Sequence, residues 1–382
     1  MRRSTPYFIN RLPGFAILVA MARFVHGLDL NRAFYYEVVE PLMKEQFPNL
    51  KYSAGLVGHG SDVMGFDSPT SIDHDWGPRL DMFFSDVDYV NHKNEVDKML
   101  RTKLPTSFKG YPTHFVEGDR YRKHQPKLKK RGPVNHLFSF FTTRSYFQHY
   151  LGFDIDRKPT IRDWLLFPQQ ALIEITGGQL FRDDLTIQEV RDRFAYYPDD
   201  IWKYMMQSQW AKIIDEFQMQ ARTGEEGDDL GSRISTARTL HNIMFMCFLI
   251  ERKYVPYAKW RGKAFVEWLK CGKELYPRLM KILDEPKWKK RQEMLAEVYQ
   301  ILGNMHNDLR IMEPMPTKII EYFGRGYPVI DAWKIFFGFE KAIRNPKLLS
   351  MKYPIGSVDQ FIDHVRINHM DYVYWELKDA IQ

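Results

Sequence analysis

The feature that most constrains the fold of this chain is a change in hydrophobic pattern near residue 185. Before it, short apolar runs alternate with turns rich in glycine, proline and aspartate, and runs at 56–58, 79–84 and 136–141 predict strands. A helical stretch is predicted over 94–103. After it, apolar residues recur at helical spacing. Two such stripes are Leu240, Ile243, Met244, Cys247 and Phe248, and then Met294, Leu295, Val298, Ile301, Leu302 and Met305.

This pattern predicts an α+β protein, with a small mixed sheet and its helices followed by an all-helical C-terminal domain. The chain has 382 residues, and at roughly 150 residues per domain this length indicates two or three domains. We therefore divide the sequence into an N-terminal helical extension at 1–27, an α/β domain at 28–184 and a helical domain at 185–382.

Composition excludes several classes of protein. Cys247 and Cys271 are the two cysteines of the sequence, which excludes a disulfide scaffold and a cysteine-built zinc site and fits a reducing cytoplasm. The apolar run at 14–22 is about half of the ~20 residues that a membrane-spanning helix needs. We expect a cytoplasmic protein with no membrane partner. The net charge of +7 permits an anionic partner such as a nucleotide or RNA.

The segment 56–84 carries the residues best suited to chemistry. A predicted strand leads into Gly60 and Ser61, and a glycine there lets the backbone approach a phosphate while the serine adds a hydroxyl donor. Asp73 and Asp75 come next, before a second predicted strand. On an extended segment both carboxylates face the same side, which suits a hard cation such as Mg²⁺ bridging to a nucleoside triphosphate.

Two other interpretations of this segment stay open. Aspartates are common in turns, so Asp73 and Asp75 could serve as turn formers. His74 and Asp75 also spell the His-Asp doublet of metal-dependent phosphohydrolases, although those enzymes place further ligands on helices and this doublet precedes a strand.

Gly60-Ser61 followed by Asp73-x-Asp75 resembles the pattern of the nucleotidyltransferase superfamily. The longer sequence also resembles the DUF4037 domain family over roughly 28–270. The stretches that carry this resemblance are GHGSDVMGFDSPTSIDHDWGPRL, DWLLFPQQALIEITGGQLFRDD, YYPDDIWKY and GDDLGSRISTARTLHNIMFMCFLIERKYVPYAKWRGKAF. The resemblance implies a small nucleotidyltransferase-like domain followed by a helical domain that closes a cleft and selects an acceptor.

The resemblance also implies site residues. Gly60 and Ser61 would hold the β- and γ-phosphates of ATP or another nucleoside triphosphate, and Asp73 and Asp75 would be catalytic and ligate Mg²⁺. Superfamily enzymes often carry a third carboxylate on a later strand, but the predicted strand 136–141 has none and has Ser139 near that place. The nearest substitutes are Asp81, Glu117 and Asp119, of which Asp81 is the predicted catalytic residue.

Lys259 follows Pro256 and lies between aromatic residues, so it could contact a triphosphate or end a helix favourably. Two functions follow from these residues. The first is Mg²⁺-dependent transfer of a nucleotidyl group, most simply AMP from ATP, to the hydroxyl or phosphate of a small acceptor. The second is a nucleotide- or partner-binding module of the same fold that has lost catalysis. A weaker hypothesis makes RNA the acceptor, because the run 117–133 is strongly basic.

Overall fold

The computed structural model describes residues 24–72, 74–117, 124–350, 354 and 356–361. These residues divide into two compact units. The first comprises the described residues up to 156 together with 174–193, and the second comprises 157–173 and those from 194 onward. The predicted N-terminal extension at 1–27 lies almost wholly outside the described residues.

The first unit is built on a mixed β-sheet. The strands of this unit are β1 (Ser53–Leu56), β2 (Arg79–Phe83), β3 (Ser107–Phe108), β4 (Tyr111–Pro112), β5 (Phe115–Glu117), β6 (His124–Pro126), β7 (Leu137–Phe141) and β8 (Gln179–Asp183). The central sheet has the order β7–β2–β1–β8. Strands β2 and β7 are parallel, whereas β1 is antiparallel to both β2 and β8. The pairs β3–β4 and β5–β6 form separate short hairpins.

Helices accompany this sheet and supply much of its core. They are α1 (Gly27–Phe34), a π-helical turn (Tyr35–Val39), α2 (Glu40–Gln46), α3 (Asp86–Lys103) and α4 (Thr143–Leu151). The helix α5 (Ile161–Leu166) belongs to the second unit, α6 (Gln169–Thr176) contains the point where the chain returns to the first, and α7 (Ile187–Asp192) follows β8. Leu56, Leu80 and Met82 from the sheet share one buried core with Leu30 and Phe34 from α1.

The sequence located most of these elements. Strands β2 and β7 and helix α3 confirm the predictions at 79–84, 136–141 and 94–103. The strand predicted at 56–58 is instead Ser53–Leu56. It ends at Leu56 because Gly58 turns the chain out of the sheet with a φ of +78°. Strand β8 was not predicted, since its polar residues lack a clear alternation of apolar and polar side chains.

The second unit is mainly helical. Its later helices are α8 (Asp199–Glu216), α9 (Met219–Glu225), α10 (Asp229–Ile250), α11 (Ala258–Trp268), α12 (Gly272–Asp284), α13 (Trp288–Asp308), α14 (Trp333–Ala342), α15 (Pro346–Leu349) and α16 (Val358–Phe361). The two predicted apolar stripes lie on α10 and α13. A short antiparallel hairpin of β9 (Ile319–Glu321) and β10 (Pro328–Ile330) lies between α13 and α14. Gly324 and Gly326 adopt the left-handed conformations that its turn needs. The α+β class is confirmed.

Among the residues that the structure describes, no helix combines the length and the apolar character that crossing a membrane requires.

Candidate functional site

The loop that follows β1 is the centre of the candidate site. Gly58 and Gly60 both have positive φ angles, of +78° and +140°, which residues with a side chain rarely adopt. The N–H of Gly58 donates to the carbonyl of Glu174 at 3.0 Å, and the carbonyl of Ser61 accepts from the N–H of Phe66 at 2.7 Å. His59 is exposed, while Gly60 and Ser61 are half-buried. The loop therefore presents backbone to solvent while both of its ends are held in place.

A buried ion pair supports this loop from below. The Nη2 of Arg79 donates to Asp62 Oδ1 at 2.8 Å and to the carbonyl of His59 at 2.8 Å. Both side chains are almost fully buried. Burial alone would lower the pKa of Arg79, but the charges of Asp62 and Asp81 outweigh it and raise that pKa above its ordinary value. The guanidinium is thus a fixed positive charge that is tied to the loop by a hydrogen bond.

Gly60 is required where this loop meets the ion pair. A Cβ at this position would come within 2.2 Å of Asp62 Oδ1 and 2.5 Å of Arg79 Nη2. Real Cβ atoms do not approach polar atoms so closely, so a side chain here would displace the pair. The same glycine that exposes the loop backbone therefore also makes room for the charges beneath it.

Asp81 lies beside this pair at the middle of the sheet. Its strand neighbours are Gly55 on β1 and Ser139 on β7. The N–H of Val57 donates to Asp81 Oδ2 at 3.4 Å. Burial raises the pKa of Asp81 to about 6, against the opposing effects of the Arg79 charge, the Val57 N–H and the Ser139 hydroxyl. A carboxyl group with this pKa can take up or release a proton near neutral pH.

Asp75 stands in a different setting. Its φ of +49° is left-handed, so the segment is not extended there, contrary to the premise that placed Asp73 and Asp75 on one face. Its carboxylate lies 2.8 Å from His124 Nδ1, and its N–H donates to the carbonyl of His124 at 2.9 Å. The carboxylate is 17% exposed. Asp75 lies before β2 and is held in place by His124 of β6.

The other predicted residues are placed as follows. Asp73 and Asp119 lie outside the described residues. Glu117 ends β5 and is exposed. Lys259 lies in α11 of the second unit, where its ammonium sits 4.7 Å from the centre of the Trp260 ring. Around Gly60 and Ser61, the structure brings together Asp62, Arg79 and Asp81 within the first unit.

The sequence analysis missed the part played by Asp62, Arg79 and His124. A signal existed for two of them. Arg79 and Asp81 are two apart on a strand and so face the same side, and Asp62 directly follows Ser61. His124 had no such signal, because its pairing with Asp75 depends on the β5–β6 hairpin.

A magnesium ion needs several oxygen ligands. Within the described ranges, no group of three or more His, Cys, Asp or Glu residues could hold a metal ion. Asp75 and His124 supply one carboxylate and one imidazole, and Asp73 is not among the described residues. These side chains alone do not make a magnesium site.

Comparison with known proteins gives one assignment by sequence. Residues 164–261 match a family model. That family is described as a domain of unknown function, DUF4037, so the resemblance is confirmed over this stretch. A comparison with curated proteins gives no match.

One solved structure shows a distant likeness. It is a nucleotidyltransferase-like protein from Exiguobacterium sibiricum 255-15, with 10% sequence identity and a TM-score of 0.29. The similarity covers 74% of this chain and 79% of that chain. A likeness of this size does not by itself establish a common fold.

Proposed function

We propose that this chain is a nucleotidyltransferase that binds a nucleoside triphosphate, most simply ATP, at the loop 58–61 and transfers AMP to an acceptor. The acceptor would be a hydroxyl or phosphate group of a small molecule. The observation that carries the proposal is the half-buried Gly60 of this loop, which lies against the buried pair Arg79–Asp62 and near Asp81. This arrangement joins a place for phosphates to a carboxyl group that titrates near neutral pH.

Each residue has a defined part in this proposal. The backbone N–H groups around Gly60 and the hydroxyl of Ser61 would donate to phosphate oxygens. Arg79 would hold the loop in shape through the carbonyl of His59. Asp81 would accept the proton of an acceptor hydroxyl. Lys259 stays a predicted nucleotide contact.

Magnesium would be held by Asp73 and Asp75 and would neutralise phosphate charge. Because the described residues do not form a complete metal site, no step of the reaction is assigned to the ion.

A second candidate is a nucleotide-binding module without transferase activity. The hydrogen-bonded pair of Asp75 and His124 favours it, because a carboxylate held at 2.8 Å by an imidazole is less available to a metal ion. A catalyst must stabilise the transition state more than its substrate, whereas a binding module need not. The two candidates therefore separate when turnover is measured, not when binding is measured.

The first experiment is thermal unfolding of the full chain with ATP and Mg²⁺, and with ATP and a chelator. A ligand at a hundredfold excess over its Kd stabilises the native state by about 2.7 kcal/mol. We expect a higher melting temperature with Mg²⁺ than with the chelator. Asp75→Asn should fold, since asparagine tolerates a positive φ, and should lose most of the Mg²⁺-dependent increment.

Asp156→Asn is the matched control for that variant. Asp156 is an exposed aspartate of the first unit whose carboxylate lies 2.6 Å from Arg144, so this change also removes one ion pair. It should keep the full increment. Ser61→Ala should reduce the nucleotide-dependent part by about 0.5–1.5 kcal/mol. A parent protein with no shift from any nucleoside triphosphate contradicts both candidate functions.

The second experiment measures release of pyrophosphate from ATP across a panel of small hydroxyl and phosphate acceptors. If Asp81 is the general base, Asp81→Asn should lower turnover by roughly 10²–10⁴-fold while nucleotide affinity changes little. Nucleotide binding without pyrophosphate release from any acceptor supports the binding module instead.

The RNA hypothesis has its own test. Within the basic run, Lys127, Lys130 and Arg131 are exposed. If they contact RNA, changing them to serine should weaken binding and flatten its salt dependence by about one unit of slope per lost phosphate contact. A parent chain that does not bind RNA removes this hypothesis.

A further inference from the structure

The two cysteines of the chain meet in the second unit. Cys247 is fully buried in the last part of α10, and Cys271 is the partly exposed residue that precedes α12. The side chain of Cys271 is the largest cause of the raised pKa of Cys247, which indicates that the two thiols lie near each other, one on α10 and one just before α12. A chain with no other cysteine has therefore brought both of them close together.

Glu251 fixes the backbones that carry these thiols. Its own N–H donates to the carbonyl of Cys247 at 3.0 Å. Its carboxylate accepts from the N–H of Lys270 at 2.7 Å and from the N–H of Cys271 at 2.9 Å. One residue thus joins the end of α10 to the start of α12 through both its backbone and its side chain, and this keeps the backbones of the two cysteines close to each other.

The two thiols differ in access to solvent. Cys247 has no exposed surface, whereas Cys271 has some. The neighbouring side chain of Cys271 and burial raise the pKa of Cys247 well above its ordinary value. An oxidant in solution can therefore reach Cys271 before it reaches Cys247.

We propose that Cys247 and Cys271 are a modification site, at which a small disulfide such as oxidised glutathione closes a reversible disulfide bond between α10 and the start of α12. In the first step the thiolate of Cys271 attacks one sulfur of glutathione disulfide, which forms a mixed disulfide and releases one glutathione thiolate. In the second step the thiolate of Cys247 attacks the Cys271 sulfur and releases the second glutathione. The two protons lost by the cysteines end on the two glutathione thiols.

The contacts around the pair favour the second step over a lasting adduct. The mixed disulfide places an electrophilic sulfur beside Cys247, whose distance from it is limited by the Glu251 bridge. The reaction is then intramolecular, which favours ring closure over release back to solution. The bond would tie α10 to α12 covalently and would restrict the unfolded chain, so the oxidised protein should melt at a higher temperature than the reduced one.

The test incubates the folded full chain with oxidised glutathione and follows it by intact mass and by peptide mapping without reductant. The expected product is a monomer that has lost two hydrogen atoms, with Cys247 and Cys271 in one cross-linked peptide pair. Dithiothreitol should restore both thiols and the original melting temperature. If both thiols persist, or if glutathione stays on Cys271 while Cys247 remains reduced, the proposal is overturned.

Single-cysteine variants test the order of the two steps. Cys247→Ala should leave a stable glutathione adduct on Cys271. Cys271→Ser should make Cys247 unreactive in the folded protein and reactive in urea, which shows that burial is the cause. If Cys247 of the Cys271→Ser variant reacts in the folded protein as fast as Cys271 does in the Cys247→Ala variant, the proposed entry through Cys271 is wrong.

Discussion

Each unit of the molecule contains an aspartate that is almost fully buried, and the pKa values of these two aspartates are shifted in opposite directions from the ordinary value. In the first unit, burial raises the pKa of Asp81 to about 6, because Arg79 is shared with Asp62 and compensates only in part. In the second unit, burial likewise favours the neutral form of Asp163, but the hydrogen bonds from Arg157 and Thr160 outweigh it and lower that pKa to about 2. The two side chains are equally shielded from solvent, but Asp81 lies deeper in the protein and has weaker donors, so the two pKa values move in opposite directions.

The partners explain this difference. Both oxygens of Asp163 bond to Arg157, at 2.6 and 2.7 Å, and the carboxylate also accepts from Thr160 at the start of α5. Asp163 is thus well satisfied as the charged N3 residue of a capping box, with Thr160 as the N-cap. Asp81 receives one long backbone bond from Val57, at 3.4 Å, and the Ser139 hydroxyl and the charge of Arg79 offset its burial only in part. A carboxyl group left under-compensated in a buried place is typical of a functional site, and a fully compensated one is typical of structure.

The largest effect that should separate the two units comes from their arginines. Arg79→Met removes the partner of Asp62, which is 2% exposed, and leaves a buried charge unpaired. We expect a loss of about 3–5 kcal/mol in the free energy of unfolding, measured with urea. Arg157→Met should cost less, about 1.5–3 kcal/mol, because its guanidinium is 40% exposed and Thr160 still bonds Asp163. Equal losses of unfolding free energy in the two variants would show that the two arginines stabilise their units to the same extent.

The second effect is the pH dependence that Asp81 brings. Its folded pKa lies above the unfolded value of 3.8, so the native state binds its proton more tightly. The resulting stabilisation is complete below pH 3.8 and is lost as the pH rises through about 6, a change of about 3 kcal/mol. Asp81→Asn should lack this loss. Urea unfolding of both proteins at pH 4, 5, 6 and 7 gives the difference, and parallel curves would show that Asp81 does not titrate there.

The third effect has the opposite sign and belongs to Asp163. Its folded pKa of about 2 lies below the unfolded value of 3.8. Its contribution is therefore present above pH 3.8 and is lost as the pH falls towards 2, about 2 kcal/mol in all. Asp163→Asn should be less stable than the parent at pH 7 and should approach it in acid. A gap that stays constant from pH 7 to pH 2 would contradict the lowered pKa.

The smallest effect compares two glycines of one loop. Gly60 and Gly65 both have a positive φ, but a Cβ at Gly65 would meet nothing within 4 Å. Gly65→Ala should cost about 1–2 kcal/mol from backbone strain alone. Gly60→Ala should cost about 1 kcal/mol more, because its Cβ would also displace the Arg79–Asp62 pair. If the two variants are equally stable in urea, the loop does not depend on that pair.

The elements that the sequence located were those whose own pattern decides their structure. Helices α3 and α13 have apolar residues at the spacing that one buried face requires, whereas strand β2 and the last part of α10 are largely apolar runs that are buried on all sides. Strand β8 was not predicted because it lies at the edge of the central sheet, beside β1. Its residues are therefore only partly buried, and its sequence is largely polar. The hairpin β9–β10 was not predicted for a similar reason, since β9 is largely exposed.

The candidate site divides in the same way. The residue types were readable in advance: glycine and serine after a strand, an aspartate on the next strand, and acids before it. The match over 164–261 confirms the family resemblance for that stretch, while the magnesium ligands and the nucleotide contacts remain predictions. The left-handed φ of Asp75 and its bond to His124 could not be predicted, because they need the β5–β6 hairpin to be in place.

By itself, then, the sequence determined the α+β class, the order of the main helices and strands, and the chemical types of residue available around Gly60. These follow from local periodicity and from what each side chain can do, which neighbouring residues in the chain already specify. Only the tertiary structure decided which side chains pair: Arg79 with Asp62 and Asp75 with His124, while the charge of Asp81 is compensated only in part. Such choices depend on distances across the sheet and on burial, and electrostatic energy changes steeply with both.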